Sequence, residues 1–391
     1  MVLLCFGVVY RRGEYRLGAE TGAGTEVETG EQVIQYQDLR ELLKAGNPGL
    51  KEKIDDYNNN VQTYQDMRDA VKWEQWDMES KAEDMKDSDA SASSLYASNA
   101  AMLKSSARNM YKQIDKMTGE KSTRSLEKEA DSLTMAAQAL MNSYNQMAAN
   151  VVAMEKNVEA AQSSYDAAVK KRSAGLIKDT ELESEKSSLE RQQNSLASLK
   201  EQQSELKESL LTLLGLSGRT DVEIGTVPDP DMAAIRAVSV ENDLQTAISN
   251  DPTWVSEMKS KVTGTDNREL RKQRISEASQ NAEISLRSTY ENLQNAVSQY
   301  EAAESAYSAA KQAWDTVQKK QAAGMLSKNA YISGESAWLS GEAAMNTAKL
   351  NLVSAYESYV WRVAGVETGA SAGGAAMSAG VSGGGGAPAG R

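Results

Sequence analysis

The chain has no histidine, one cysteine (Cys5), one phenylalanine and five prolines among its 391 residues. Without histidine there are no Ser-His or Cys-His nucleophilic pairs, no imidazole metal sites and no ready general base near neutral pH. One cysteine supports neither a disulfide framework nor a thiolate metal cluster. Blocks of like charge are also missing: 43 basic and 55 acidic residues are interspersed, for a net charge of −12. No basic stripe could neutralise a run of phosphates, which argues against a nucleic-acid partner. The expectation is a protein that is not an enzyme and holds neither metal nor cofactor.

What remains is helical. The apolar fraction leans on Ala, Leu, Met and Val, which suits thin helical layers better than a thick core. From Leu126 the apolar and small residues alternate at spacings of four and three, through Ala130, Leu133, Ala137, Leu140, Tyr144, Met147 and Val151. The seam continues with Met154, Val158, Ala161, Tyr165 and Ala168. This is a heptad seam, the period of a helix packed lengthwise on partners. At 1.5 Å per residue the arm is roughly 60–70 Å long. The stretch Ser173-Ala174-Gly175-Leu176-Ile177-Lys178-Asp179 interrupts it, and a second seam follows. There Leu182, Leu189, Leu196 and Leu210 share one heptad position, and Leu199, Leu206 and Leu213 share the other. Two long helices with a Gly-centred apolar tip read as a hairpin. The Met and Tyr stripes within it are core, methionine being the usual gap-filler.

In chain order, Met1 to Val9 is an apolar run followed by Arg11 and Arg12. Nine residues cannot span a bilayer, which takes about 20 in a helix. The run is a candidate export-signal remnant within a disordered segment, 1–32. A short helix over 36–43 stops at Gly46-Asn47-Pro48. A second follows Pro48 and breaks at Lys86 to Ser91, and a third runs from Tyr96 to Met117. Trp73, Trp76 and Trp254 are expected at the ends of helical seams. After Leu213-Leu214-Gly215 comes a linker over 217–240, with an extended piece at Val222-Glu223-Ile224 and the helix-breaking Val227-Pro228-Asp229-Pro230. A further short helix spans 244–249. The tail, 366–391, is Gly, Ala and Ser rich and expected to be flexible.

The second half repeats the first. Asn47-Pro48 matches Asp251-Pro252, each after a short helix. Tyr165-Asp166 matches Trp314-Asp315, Lys170-Lys171 matches Lys319-Lys320, and Ala174-Gly175-Leu176-Ile177 matches Ala323-Gly324-Met325-Leu326. A seam from Leu286 through Tyr290, Leu293, Val297 and Tyr300 to Trp314 and Val317 precedes the second tip. The arm after it ends at Trp361 to Gly365. The fold class is therefore all-α, with two duplicated long antiparallel helical hairpins over 33–216 and 241–365.

With its duplication, Asn-Pro or Asp-Pro repeat starts, Ala-Gly tips and Leu-Leu-Gly ending before a Pro-containing linker, the chain resembles the TolC family of outer-membrane efflux and secretion proteins. The resemblance covers roughly residues 33–365. It implies a homotrimeric α-tube of twelve helices in the cell envelope, docked at its closed end by an adaptor and an inner-membrane pump. It further implies that Gly175, Leu176, Ile177, Gly324, Met325 and Leu326 lie at the docking rim. Family members commonly carry an acidic gate residue six positions after the tip glycine. Here that is Glu181 in the first repeat, but Ala330 in the second. Glu181 and Asp179 also fit a capping or dipole-compensating role at a helix start.

The family also inserts amphipathic strands that close a membrane barrel, each needing 9–11 alternating residues. None is evident. Lys259 to Arg268 is polar and turn-like, and neither Lys86 to Ser94 nor Thr118 to Arg124 alternates. Two functions follow: an export conduit, or a non-transporting coiled-coil scaffold of the envelope. The apolar tips suit either packing on neighbouring hairpins or a waiting partner, since turns normally favour polar residues.

Overall fold

A computed structural model of the chain describes residues 32–366. The expected disordered N-terminal segment with its export-signal remnant, and the expected flexible tail, fall outside the described residues apart from their innermost positions. In order, the elements are β1 (Gln32–Ile34), a 3₁₀ turn (Tyr36–Asp38), α1 (Leu39–Gly46), α2 (Pro48–Asp84) and α3 (Ala90–Thr118). They continue with α4 (Glu120–Ser173), α5 (Asp179–Leu213), β2 (Val222–Ile224), α6 (Met232–Arg236) and α7 (Val240–Asn250). The last three are α8 (Pro252–Lys259), α9 (Thr265–Ala322) and α10 (Lys328–Ala364). The fold is all-α with paired antiparallel helices. Its only described strands, β1 and β2, form one parallel pair.

Four helices form a layer in the order α5, α4, α10, α9, with α5 and α9 at its two edges. Every seam position read from the sequence in α4, from Leu126 to Ala168, is buried or half-buried. Two flanks of α4 are covered, because it packs on α5 and on α10 at once, while a stripe through Val152, Glu155, Glu159, Gln162, Asp166 and Val169 stays exposed. The α4–α10 contact is partly polar. Trp361 Nε1 donates to Gln138 Oε1 at 3.0 Å, Lys156 lies 3.5 Å from Glu335, and Ser163 bonds Asn329. On the other side, α9 and α10 approach closely through glycine. A Cβ at Gly334 would stand 2.9 Å from Val317 Cγ1. Further along the same contact, Trp314 stacks on Trp338 with ring centroids 5.8 Å apart.

The repeat starts create a joint that periodicity alone does not reveal. At the end of α5, Asn47 Nδ2 donates to Leu213 O at 2.8 Å, while Asn47 Oδ1 caps α2 by accepting from Leu50 N at 3.0 Å. At the end of α10, Asn250 Nδ2 donates to Val363 O at 3.0 Å, and Asp251 Oδ1 caps α8. Pro48 and Pro252 each open the new helix, where the missing N–H costs nothing. The chains touch backbone to backbone here: a Cβ at Gly215 would sit 1.8 Å from Gly46 O, and one at Gly365 2.1 Å from Asn250 O. Both glycines also have positive φ, 73° and 75°. One helix thus ends where another starts, and α2 carries on the line of α5.

Contacts fix the direction. Lys53 pairs with Glu129 at 2.6 Å and Tyr57 donates to Met117 O at 3.1 Å. As α2 proceeds, then, it passes the start of α4 and runs alongside α3. The α2–α3 hairpin points away from the 174–178 tip. Only Gly119, in an extended conformation, separates α3 from α4.

The thick core sits beside these joints. One cluster gathers Ile34, Leu39, Leu43, Ala137, Met141, Leu210 and Val353; another gathers Ile235, Val240, Leu286, Leu293, Leu352 and Tyr359. The stretch expected as linker is therefore not bare. It supplies β2 and α6, whose Val222 and Ile235 are each 1% exposed. The seventh helix begins at Val240, four residues before the position expected, because Val240 and Ala247 both enter this core.

Two tryptophans correct the sequence reading. Trp73 and Trp76 are not seam residues: they are 68% and 60% exposed. The seam of α2 passes through Val71, Gln75, Met78 and Ala82, all half-buried. Positions 73 and 76 fall on the opposite side of a 3.6-residue helix. Trp254, by contrast, is half-buried in α8.

Candidate functional site: the hairpin apices

Each apex is a helix end built the same way. At the first, Gly175 has φ 75°, its N–H donates to Arg172 O at 2.9 Å, and Leu176 N donates to Lys171 O at 2.8 Å. At the second, Gly324 has φ 70°, its N–H donates to Gln321 O at 2.9 Å, and Met325 N to Lys320 O at 2.9 Å. Both are Schellman motifs, in which a left-handed residue closes the helix and glycine takes that conformation without a Cβ penalty.

The residue after the glycine normally packs back onto the last turn. Here that turn offers Lys170 and Lys171, or Lys319 and Lys320, and no apolar partner. Leu176 is accordingly 73% exposed and Met325 76%. The next residues, Ile177 and Leu326, are half-buried. All six predicted apex residues thus fall at the two tips, in matching states.

The tips differ in how the following helix starts. Arg172 grips Asp179 at the first, with Nη2 to Oδ2 at 2.9 Å, and this pairing holds the Asp179 carboxyl below the usual carboxylate range. Ser327 caps α10 at the second, accepting from Ala330 N at 3.2 Å. Glu181 is exposed in the first turn of α5, where its charge faces the positive end of the helix dipole.

Both apices lie at one end of the layer. Asn329, five residues past Gly324, sits beside Ser163, twelve residues before Gly175. Along the α4–α10 pair, the first tip therefore overhangs the second by about seven residues, or ~10 Å. No cluster of three or more metal-ligating side chains occurs among the described residues. No described helix is long and apolar enough to cross a membrane.

No protein-family model matches the chain, and no curated protein matches it. Among solved structures it is similar to a membrane protein from Pseudomonas aeruginosa, at 10% identity over 86% of this chain and 91% of that one, with a TM-score of 0.48. It is similar to the Neisseria gonorrhoeae MtrE outer membrane channel, at 12% identity over 88% and 93% of the two chains, with a TM-score of 0.41. It is likewise similar to the Campylobacter jejuni CmeC outer membrane channel, at 14% identity over 71% and 69%, with a TM-score of 0.38. The two channels are TolC-family proteins, and the likeness is one of fold.

Proposed function

We propose that the chain is the protomer of a helical conduit in the cell envelope, a TolC-like tube for export of small molecules or proteins. The observation that carries this reading is the four-helix layer, open at both edges, with two matched apices at one end. Within the layer α4 and α10 each have a helix on both flanks, whereas α5 and α9 each have one, with α7 and α8 packing on α9 as well. Beyond the end of α10, the part of α9 that runs toward α8 also exposes Ile284 and Leu270. Three copies, with α5 of one against α9 of the next, close twelve helices into a ring. The apices then form a rim bearing Leu176 and Met325, which takes an adaptor working with an inner-membrane pump. Glu181, just inside that rim, supplies a ring of acid as a gate.

One observation favours a second reading. The paired strands of the described residues are three residues each, and the family's membrane barrel has no counterpart in them. A ring of this protein that encloses no passage would be a coiled-coil scaffold of the envelope. Single-particle electron microscopy of the purified assembly separates the two. A lumen along the helix axis supports the conduit, and a solid bundle overturns it in favour of the scaffold.

A further inference from the structure

The α2–α3 hairpin is the part of the molecule least used by its own fold. Its seam buries only Leu50, Ala100, Ala107 and Ile114. Its counterpart in the second repeat, α8, has 8 residues against the 37 of α2. About 29 residues of α2, or ~40 Å, thus run beyond the level at which the second repeat stops. On this projecting part Trp73 and Trp76 meet edge to face, with centroids 5.3 Å apart, on the side turned away from α3.

The two helices carry opposite charge. Over its length α2 has ten acidic and five basic residues, whereas α3 has one acidic and four basic. Asp69, which Arg68 holds at 2.8 Å, shares the outer face of α2 with Trp73 and Trp76 at helical spacing. Lys104, Arg108 and Tyr111, spaced four and three, share a face of α3 outside its seam, and all three are exposed. Lys104 and Arg108 make no ion pair among the described residues.

Heights along the hairpin also agree. Ser93 Oγ donates to Ala82 O at 2.6 Å near the turn, and Tyr57 reaches Met117 O near the base. Counting inward from either contact brings Trp73 within a turn of Lys104, and Asp69 within a turn of Arg108. Rotation about an axis parallel to the helices leaves height unchanged. A neighbouring copy related by such a rotation therefore presents Lys104 and Arg108 at the level of this copy's tryptophans and Asp69.

We propose that the α2–α3 hairpin is an interface between copies of this chain, the Trp73–Trp76 face of α2 in one copy packing on the Lys104–Arg108–Tyr111 face of α3 in the next. The contact is head-to-tail, so it closes a ring only through rotational symmetry. It joins a cation over an indole face with an acid–base pair, at a site that also removes exposed aromatic surface from water. The result is a helical collar at the end opposite the apices. This inference rests on the reading that copies assemble about an axis along the shaft.

The test uses the full chain with Cys5→Ser, so that only introduced thiols react, carrying both Trp73→Cys and Lys104→Cys. Copper-phenanthroline oxidation should give covalent dimer and trimer bands on a non-reducing gel. Either single cysteine variant should give neither. Light scattering on the same samples reports assembly, and far-UV circular dichroism reports folding. An intact oligomer whose double variant gives no ladder overturns the collar while leaving the tube standing. A ladder from one single variant means like faces meet, and also overturns it. A monomeric mass removes both the collar and the tube. Trp fluorescence that shifts blue only on adding phosphatidylcholine vesicles would assign the face to lipid instead.

Discussion

At the two joints the repeats are nearly interchangeable. Asn47 reaches back to Leu213 O and Asn250 to Val363 O, and each neighbouring glycine lies against backbone. Beyond the joints the repeats part: α2 runs 37 residues with an aromatic outer face, and α8 stops after 8. A joint needs fixed backbone geometry, so a duplicated sequence keeps it wherever the two stacked helices remain. The far ends carry no such constraint from the monomer. The proposed collar would use that difference, placing the longer helix of the first repeat against a neighbouring copy.

If the joints are fixed by backbone approach and the apices only by φ, glycine substitutions separate the two. Gly215→Ala should be the most damaging change, costing roughly 4 kcal/mol or abolishing folding, because left-handed strain adds to a 1.8 Å clash with Gly46 O. Gly365→Ala should behave alike against Asn250. Urea unfolding of both variants, read by circular dichroism, checks this. Losses below about 1 kcal/mol would mean the joint adapts.

The core beside the first joint predicts the next largest effect. Tyr36 donates to Glu357 across the interface of the 3₁₀ turn and α10, and burial pushes the Glu357 carboxyl up to about 7. The folded state therefore holds a proton that the unfolded chain, near the ordinary value of 4.5, releases first. Stability from this group is full below pH 4.5, falls as pH rises to 7, and is flat above. The total loss is up to about 3 kcal/mol. Glu357→Gln should flatten that slope, which unfolding midpoints at pH 5 and pH 8 would register. Beside the second joint Arg362 and Asp251 form a buried ion pair, 3.1 Å apart, and Tyr359 donates to Asp243 Oδ2 at 2.8 Å.

At the apices the expected effects are smaller. Gly175→Ala should cost about 1 kcal/mol, from left-handed strain alone, since a Cβ there meets nothing within 4 Å. Smallest of all, Leu176→Ser with Met325→Ser should change stability by less than about 0.5 kcal/mol, because both side chains are exposed. A loss above about 2 kcal/mol would show that the apices are packed rather than offered to a partner.

Much of this was legible in the sequence because it is written locally. Seam period, apex glycines and Pro-opened helices are short-range signals, and they place the hairpins of α4–α5 and α9–α10 and all six apex residues. Three features depend on contacts far apart in the chain and were not legible. The β1–β2 pair joins residues about 190 apart, with Gln32 opposite Val222. The α6 helix is held by burial of Ile235 against α9 and α10, and its five residues show no period. The joints depend on Asn47 meeting Leu213. The Trp pair misleads for another reason: residues three apart look like a seam. Only their phase against Val71, Met78 and Ala82 tells the two faces apart, and that signal was present.

The proposed tube requires the layer with two open edges to close into a ring. Light scattering of the purified full chain, without detergent and then with it, measures that closure. A mass of three times 42.3 kDa, about 127 kDa, in both conditions is the predicted result. A monomer at 42.3 kDa, or a dimer, would contradict the tube and leave a free-standing helical layer.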